Sequence, residues 1–418
     1  MKIVLSHPTG NRNVRAVISS LAQAGMLLEF NTTLAADPAA FWLKFLPGSL
    51  RSEWLRRTFP LSLSNINTRP VLELARMALP RLGFDAAVNH EKGWASIDAV
   101  YHDLDKAGAR RLVNITSKIN VDAVYAYEDG ALETFRQAKK MGLKCIYDLP
   151  IAYWETVQKL MTEEAARLPQ WAVTLGGGIH DSAAKLERKT QELELADVVV
   201  GPGSFVMDSL PTWSKGKTVI MSPFGSPEFD SSNISAGSIQ SKQTNRPLRV
   251  LFAGSMGQRK GLGDLFKAIR ILNNKNVELV VMGSLLAPME FYRNELPDFT
   301  YEPGRSHDKV LELMRSCDVF CLPSIVEGRA LVMQEAMSQG LPIIITPNTG
   351  GADLIEKGKT GFLVPTRSPE VIAEKIGWFL DNRSKIAEMG EMARQKAADY
   401  TWDNYGDQIV RSLVNYLN

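Results

Sequence analysis

Short runs rich in β-branched residues, each followed by a turn and a stretch with apolar positions three and four apart, recur along the chain. That alternation predicts strand–turn–helix units and parallel sheets with helices on both faces. In the first half the strand-like runs fall at residues 2–6, 123–127, 144–149, 197–200 and 218–221, and in the second at 249–253, 278–282, 318–322, 342–346 and 361–364. Between them, at 224–247, Ser226, Ser231, Ser232, Ser235, Ser238 and Ser241 replace apolar residues, as expected of a linker. The expected architecture is α/β, with Rossmann-like parallel-sheet domains at 1–223 and 248–398 facing a central cleft. A short echo agrees: Ala196-Asp197-Val198-Val199 runs into Gly201-Pro202-Gly203-Ser204, and Cys317-Asp318-Val319-Phe320 into Pro323-Ser324. After Pro369 the pattern is helical, at 371–380, 385–398 and 402–417, and residues 399–418 are expected to cross back onto the first domain.

Composition narrows the class. With 418 residues, 45% hydrophobic and 22% charged, the chain suits two or three domains and is neither collagen-like nor wholly disordered. Its 48 Lys+Arg against 46 Asp+Glu leave a net charge of +2, too little to point to nucleic acid as a partner. Cys145, Cys317 and Cys321 read as buried strand residues rather than a disulfide framework. The five histidines show no paired ligand spacing, so no metal is expected. The opening apolar run meets His7 too soon for a signal peptide, and no run reaches membrane-span length. The expected location is cytoplasmic, or peripheral at the inner face of a membrane. Residues 41–82 bear on the second option, because Lys44, Arg51, Arg56, Arg57, Arg69, Arg76 and Arg81 alternate there with Phe41, Trp42, Phe45, Trp54 and Phe59. That mixture suits an anionic membrane surface. Helices that pack the aromatics inward and solvate the arginines are the alternative, and Pro47, Pro60, Pro70 and Pro80 break any single long helix.

Candidate chemistry concentrates after three strands. The first stretch is Pro323-Ser324-Ile325-Val326-Glu327-Gly328-Arg329-Ala330-Leu331, continuing through Gln334 and Glu335. A helix is expected to start near Gly328, and its unpaired N–H groups and positive dipole end suit a diphosphate. Glu327 and Glu335 would then stand roughly 12 Å apart along the helix axis, a span that fits a nucleotide sugar. The second stretch is Gly254-Ser255-Met256-Gly257-Gln258-Arg259-Lys260-Gly261, where glycines admit a ligand and two cations can neutralise a leaving diphosphate. It lacks the Gly-Lys-Ser/Thr ending of a nucleotide-binding P-loop. The third is His7-Pro8-Thr9-Gly10-Asn11-Arg12-Asn13, feeding a helix at 14–24, with Gly10 and Asn11 as backbone donors to the same cleft. Gly176-Gly177-Gly178 reads as a flexible loop near the cleft, and Gly350-Gly351 as the start of a helix with further donors.

Over about 120 residues these motifs resemble the retaining glycosyltransferases of family 4, whose two Rossmann-like domains form the GT-B fold. The resemblance rests on Gly254 through Lys260-Gly261, Asp318 through Ser324, the Glu327 and Glu335 pair, Gly340-Leu341-Pro342, Gly350-Gly351 and Lys359 through Pro365. It implies transfer of a sugar from a nucleotide diphosphate sugar with retention of configuration, without metal or cofactor. It also implies that Glu335 binds the ribose, Glu327 lies near the donor sugar and Lys260 holds the diphosphate. The backbone of Gly328, Arg329, Ala330 and Leu331, with Gly350 and Gly351, would cradle phosphate and sugar, and Gly304 and Arg305 would edge the base. In many members an Arg follows the glycine matched here to Gly254. This chain has Ser255, and Arg259 would supply the cation. Where members carry a first-domain His, the expected counterpart is Tyr147, and Asp148 beside it becomes the candidate to position or deprotonate the acceptor hydroxyl. The resulting reading is a hexosyltransferase acting on a glycan or lipid-linked acceptor. A nucleotide-sugar epimerase on the same fold, and a non-catalytic nucleotide-sugar-binding protein, are the alternatives.

Overall fold

The β-branched runs pair into two all-parallel sheets. The computed structural model describes the whole chain except Leu46, residues 177–179, residues 228–245 and Asn418. In the first sheet β1 (Ile3–Ser6), β2 (Leu27–Thr32), β3 (Ile66–Thr68), β4 (Ala123–Tyr127), β5 (Lys144–Asp148), β6 (Val198–Gly201) and β7 (Thr218–Met221) stand in the order β3-β2-β1-β4-β5-β6-β7. In the second, β8 (Leu248–Ala253), β9 (Val277–Met282), β10 (Thr300–Glu302), β11 (Val319–Leu322), β12 (Ile343–Ile345) and β13 (Gly361–Leu363) stand in the order β10-β9-β8-β11-β12-β13. The strand order reverses between β1 and β4 and again between β8 and β11. Ligands of open parallel sheets bind beyond the carboxyl ends of the strands at such switch points. The loops after β1, β4, β8 and β11 are therefore the ones placed to meet a ligand.

Two strands were not expected. β2 follows the helix Arg12–Gln23 after a left-handed turn at Gly25 (φ 65°), so its apolar residues read as a continuation of that helix. β3 is three residues long, and its pairing is supported by a hydrogen bond from Asn67 to Asn31 at 2.9 Å, a pair without apolar pattern. The three cysteines are free and buried, as expected. Of the linker, residues 228–245 lie outside the described residues.

Each domain takes an element from the other half of the sequence. The last helix, Trp402–Leu417, returns to the first domain as expected, where Tyr405, Ile409 and Leu413, spaced four apart, are buried against Val14, Val17 and Leu21. Burying such side chains contributes about 1.5–3 kcal/mol each. Gly406 permits the approach, since a Cβ there would stand 2.7 Å from the Ala16 carbonyl oxygen, and Ser20 donates a hydrogen bond to Asp407 at 2.8 Å. In the other direction, the segment between β5 and β6 packs on the second domain. Trp171 is 1% exposed within the second core, its ring 4.9 Å from Phe291 and 5.7 Å from Phe266.

Candidate functional site

The loops from the two switch points enclose a cavity of about 570 Å³. Asn11, Arg12, Asn13 and Tyr127 line it from the first domain, and Gly254, Lys260, Glu327, Ala330, Leu331 and Glu335 from the second. Among the sequence-predicted residues, those six, with Asn11 and Arg329, come together here.

The cationic side of the cavity is built on glycine. Gly254 has φ 149°, and a Cβ there would lie 2.7 Å from Cδ of Lys260, so only the missing side chain lets Lys260 cross the end of β8. The turn Gln258–Lys260 then directs two cations at one carboxylate. Lys260 Nζ stands 2.5 Å and Arg259 3.4 Å from Oε1 of Glu327. Arg259 also donates to the Val326 carbonyl at 3.2 Å. The two cations expected to await a diphosphate are thus already held on Glu327.

Glu327 does not belong to the following helix, which begins at Leu331 rather than near Gly328. Ala330 is extended (ψ 101°) and its N–H donates to the Thr349 carbonyl at 3.1 Å, so that amide is spent within the fold. The separation of Glu327 and Glu335 along one helix axis therefore does not apply. No side chain caps the helix, which leaves its first-turn N–H groups at the cavity wall. Glu335 lies one turn further on, with His307 Nδ1 at 3.7 Å. Burial raises its carboxyl above the usual range, against the opposing pull of His307 and Arg12.

Gly328 and Gly350 form a backbone seam between the domains. A Cβ on Gly328 would stand 1.8 Å from the Pro150 carbonyl oxygen, and one on Gly350 1.9 Å from that of Gly328. The Arg329 side chain points away from the cleft and is fully buried. It donates to Gln334 (2.7 Å), to the Gly350 carbonyl (2.8 Å) and to Asp353 (2.8 Å), and it stacks on Tyr400. Gln334 in turn donates to the Phe224 carbonyl, which ties the loop to the start of the linker.

Other predicted residues lie elsewhere. Gly10 lines an adjoining cavity with Asn11 and Arg12. Ser255, Arg259, Gly304, Arg305, Gly328, Gly350 and Gly351 are not among the residues lining the central cavity, and Arg305 pairs with Glu302. Gly177 and Gly178 lie outside the described residues. Tyr147 is wholly buried against Phe135, so it does not occupy the cleft position expected of it, and Tyr127 on the neighbouring strand lines the cavity instead. Asp148 sits beside Tyr127 in the strand register but beneath the cavity, and burial lifts its carboxyl to about 7. Among the described residues one group has ligand-like proximity, His90, Glu91 and Asp181, whose ligand atoms lie within 4.8 Å of one another. Lys185 already stands 3.5 Å from the same Asp181 oxygen that His90 meets.

Two residues within the predicted stretches make contacts that carried no sequence signal. Gln258 is held from across the domain boundary. Its backbone N–H donates to Thr174 (3.0 Å) and its amide to Glu164 and Asp264 (2.9 Å each). His7, at the end of β1, packs its ring 4.3 Å from that of Tyr127. Burial pushes its pKa down from 6.5 to about 4. The unfolded chain therefore binds a proton at higher pH than the folded one, and stability falls as pH drops through this interval. The expected loss is up to about 3 kcal/mol between pH 6.5 and pH 4. Urea denaturation across that range should show it, and His7→Gln should flatten the slope. An unchanged slope in the variant would assign the pH dependence to other groups.

Two open parallel sheets whose switch points face each other across a cleft define a protein of the GT-B class. Residues 238–396 match the family described as glycosyl transferases group 1. It is similar to D-inositol 3-phosphate glycosyltransferase of Corynebacterium urealyticum, 32% identical over 106 residues, 25% of each chain. It is also similar to sulfoquinovosyl transferase SQD2 of Arabidopsis thaliana, 27% identical over 207 residues, covering 49% of this chain and 39% of that one. The chain spans less than half the length of these curated relatives. Solved structures match along the whole chain. Sucrose-phosphate synthase from Thermosynechococcus elongatus superposes with a TM-score of 0.64 at 16% identity, covering 100% of this chain and 99% of that one. HepE of Anabaena in complex with UDP gives 0.60 at 15% identity, covering 99% and 100%. At these identities the structural likeness speaks for the fold.

Proposed function

We propose that the protein is a retaining, metal-independent hexosyltransferase that moves a sugar from a nucleotide diphosphate sugar to a glycan or lipid-linked acceptor. The observation that carries this reading is that Lys260, Glu327 and Glu335 line one interdomain cavity together with residues of the first domain, while Arg259 meets the same Glu327 oxygen as Lys260. In this reading the diphosphate displaces Glu327 as the partner of the two cations, and Glu335 accepts hydrogen bonds from the ribose. Glu327, released, accepts from hydroxyls of the donor sugar. The bond between the anomeric carbon and the diphosphate oxygen breaks while the acceptor oxygen bonds to that carbon on the same face. The acceptor proton passes to the departing phosphate oxygen. Lys260, Arg259 and the N–H groups at Leu331 stabilise the charge that develops there. Asp148 is buried and does not line the cavity, so this reading gives it no contact with the acceptor.

HepE of the same fold is solved with UDP and with UDP-glucose, which makes UDP-glucose the first donor to test. A thermal-shift panel with UDP, GDP and ADP should single out one nucleotide by mass action. Incubation with the matching labelled donor should then yield free nucleotide and a glycosylated acceptor. An isomerised donor would mean an epimerase, and binding without turnover a non-catalytic protein.

A peripheral site at the inner face of a membrane is part of this reading. No helix among the described residues is long and apolar enough to cross a membrane. The basic aromatic segment divides: Phe59 packs on Phe30 at 4.8 Å, whereas Phe41 and Phe45 are 70% and 71% exposed. Vesicles containing anionic lipid are expected to float the protein at low salt and release it at high salt, and Phe41→Ser with Phe45→Ser should abolish flotation. Protein that stays at the bottom of the gradient at low salt would show that these rings are simply solvated.

A further inference from the structure

The turn that carries Arg259 and Lys260 is not held by the second domain alone. Gln258, which opens it, is 0% exposed, and its side chain is hydrogen-bonded at both ends of the amide. The nitrogen donates to Glu164 and to Asp264 at 2.9 Å each, and the oxygen accepts the Gly263 N–H at 2.9 Å. The Gln258 backbone N–H donates to the Thr174 hydroxyl at 3.0 Å, and that hydroxyl donates in turn to the Trp171 carbonyl at 2.7 Å. Glu164, Trp171 and Thr174 all belong to the segment between β5 and β6. The main chains are as close as the side chains, since a Cβ on Gly257 would stand 2.6 Å from the Thr174 carbonyl oxygen.

The same segment lies under the carboxylate that the cations meet. The Arg259 carbonyl accepts the N–H groups of Ile325 at 2.9 Å and Val326 at 3.3 Å, which staples the turn to the residues just before Glu327. Ile325 and Val326 are buried with Ala152, Met161 and Leu175 in a small apolar cluster that bridges the domains. Residues 152–175 therefore support both sides of the Lys260–Glu327 pair, yet none of them lines the central cavity. Their influence on the site can only be positional. A buried polar network with its partners in place holds one arrangement, and displacing a charged group by about 1 Å is enough to weaken its contact with a ligand severely.

We propose that Gln258 and Thr174 are positioning residues of the diphosphate site: through their hydrogen bond the segment between β5 and β6 sets where Lys260 and Arg259 stand, so that the cationic side of the site is assembled across the domain boundary. This rests on the glycosyl-transfer reading for the role of Lys260 and adds to it what holds that side chain in register.

Isothermal titration with UDP and with inorganic pyrophosphate tests it, because pyrophosphate reports on the cations whatever base the donor carries. Thr174→Val keeps the shape of the side chain and removes the hydroxyl, whereas Thr174→Ser keeps the hydroxyl. Thr174→Val is expected to weaken the tighter-binding probe about tenfold, the scale of one buried donor left without its partner, and Thr174→Ser to stay within about twofold of the wild type. In the Lys260→Ala background Thr174→Val is expected to weaken binding no more than about threefold, since the main side chain it positions is gone. Gln258→Met is expected to follow the same pattern with a larger loss, and if it does not fold the Thr174 pair decides alone. A Thr174→Val protein that binds both probes as the wild type does, a loss shared by Thr174→Ser, or an equal loss with and without Lys260 would overturn the proposal and leave the donor site standing. A wild type that binds neither probe, or a Lys260→Ala protein that binds as tightly as the wild type, would overturn the donor-site reading and this proposal with it.

Discussion

Lys260→Ala is expected to lower turnover about a hundredfold while leaving the protein folded, the scale on which loss of one charge-stabilising donor is felt in a transition state. Lys260 is the nearer of the two cations on Glu327, at 2.5 Å against 3.4 Å for Arg259, and Gly254 has given up its side chain to let it lie there. Removing it leaves Arg259 alone to face both the carboxylate and the departing diphosphate. The effect should appear in kcat/KM at least as strongly as in kcat, because Lys260 pairs with the bound diphosphate before reaction and with the further charge that develops as it leaves. Steady-state rates with the preferred donor, alongside circular dichroism and urea denaturation, provide the check. A folded variant with near-normal turnover would remove Lys260 from the reaction.

Arg167→Met is expected to cost about 3–5 kcal/mol of folding stability, the range for breaking a buried ion pair from one side. Arg167 joins the helix Trp154–Arg167 to the second domain, bonding Glu164 at 2.7 Å and Asp264 at 2.6 Å. The two carboxylates are 0% and 2% exposed. Arg367 also approaches Glu164 at 2.8 Å, so Asp264, left with Gln258, bears the larger part of the loss. Burial alone would raise the Glu164 carboxyl, but hydrogen bonds from Arg167 and Gln258 outweigh it and hold the group below its usual range. A depressed carboxylate contributes stability above its unfolded pKa and loses it as pH falls through the folded value. The wild type should therefore lose this contribution only in acid, whereas the variant should lack it at neutral pH. Urea midpoints at pH 7 and pH 4 separate the two, and a variant within 1 kcal/mol of the wild type at pH 7 would show the network to be dispensable. Because Gln258 hangs from the same carboxylates, the loop that carries Arg259 and Lys260 should loosen as well.

How much of this was legible in the sequence depends on whether the deciding contact was local. The central strands were plain, because a strand buried on both faces needs an unbroken apolar run, as at Val198–Gly201 in the first sheet and Val319–Leu322 and Ile343–Ile345 in the second. β3 was not, since an edge strand of three residues held partly by an Asn–Asn hydrogen bond leaves no periodic trace. The residues of the central site were found through their places after strands, but not their arrangement. That Glu327 neutralises its own two cations, that Gly328 serves as a contact against Pro150, and that Tyr127 rather than Tyr147 reaches the cleft are tertiary facts. Strand phase decides the last of these, since alternate residues of a strand face opposite sides and only those near its end reach the cleft. The contacts of Gln258 with Thr174 and Glu164, and of Trp171 with Phe266 and Phe291, were not legible because the partners lie across the domain boundary.

The returning helix sets an order on biosynthesis. Domains made first on the ribosome ordinarily fold first. Here the face of the first domain formed by Val14, Val17 and Leu21 has no cover until Tyr405, Ile409 and Leu413 have been made. The first sheet can assemble early, but it keeps an open apolar flank through synthesis of the entire second domain, and the earliest-made part of the molecule is the last to be sealed.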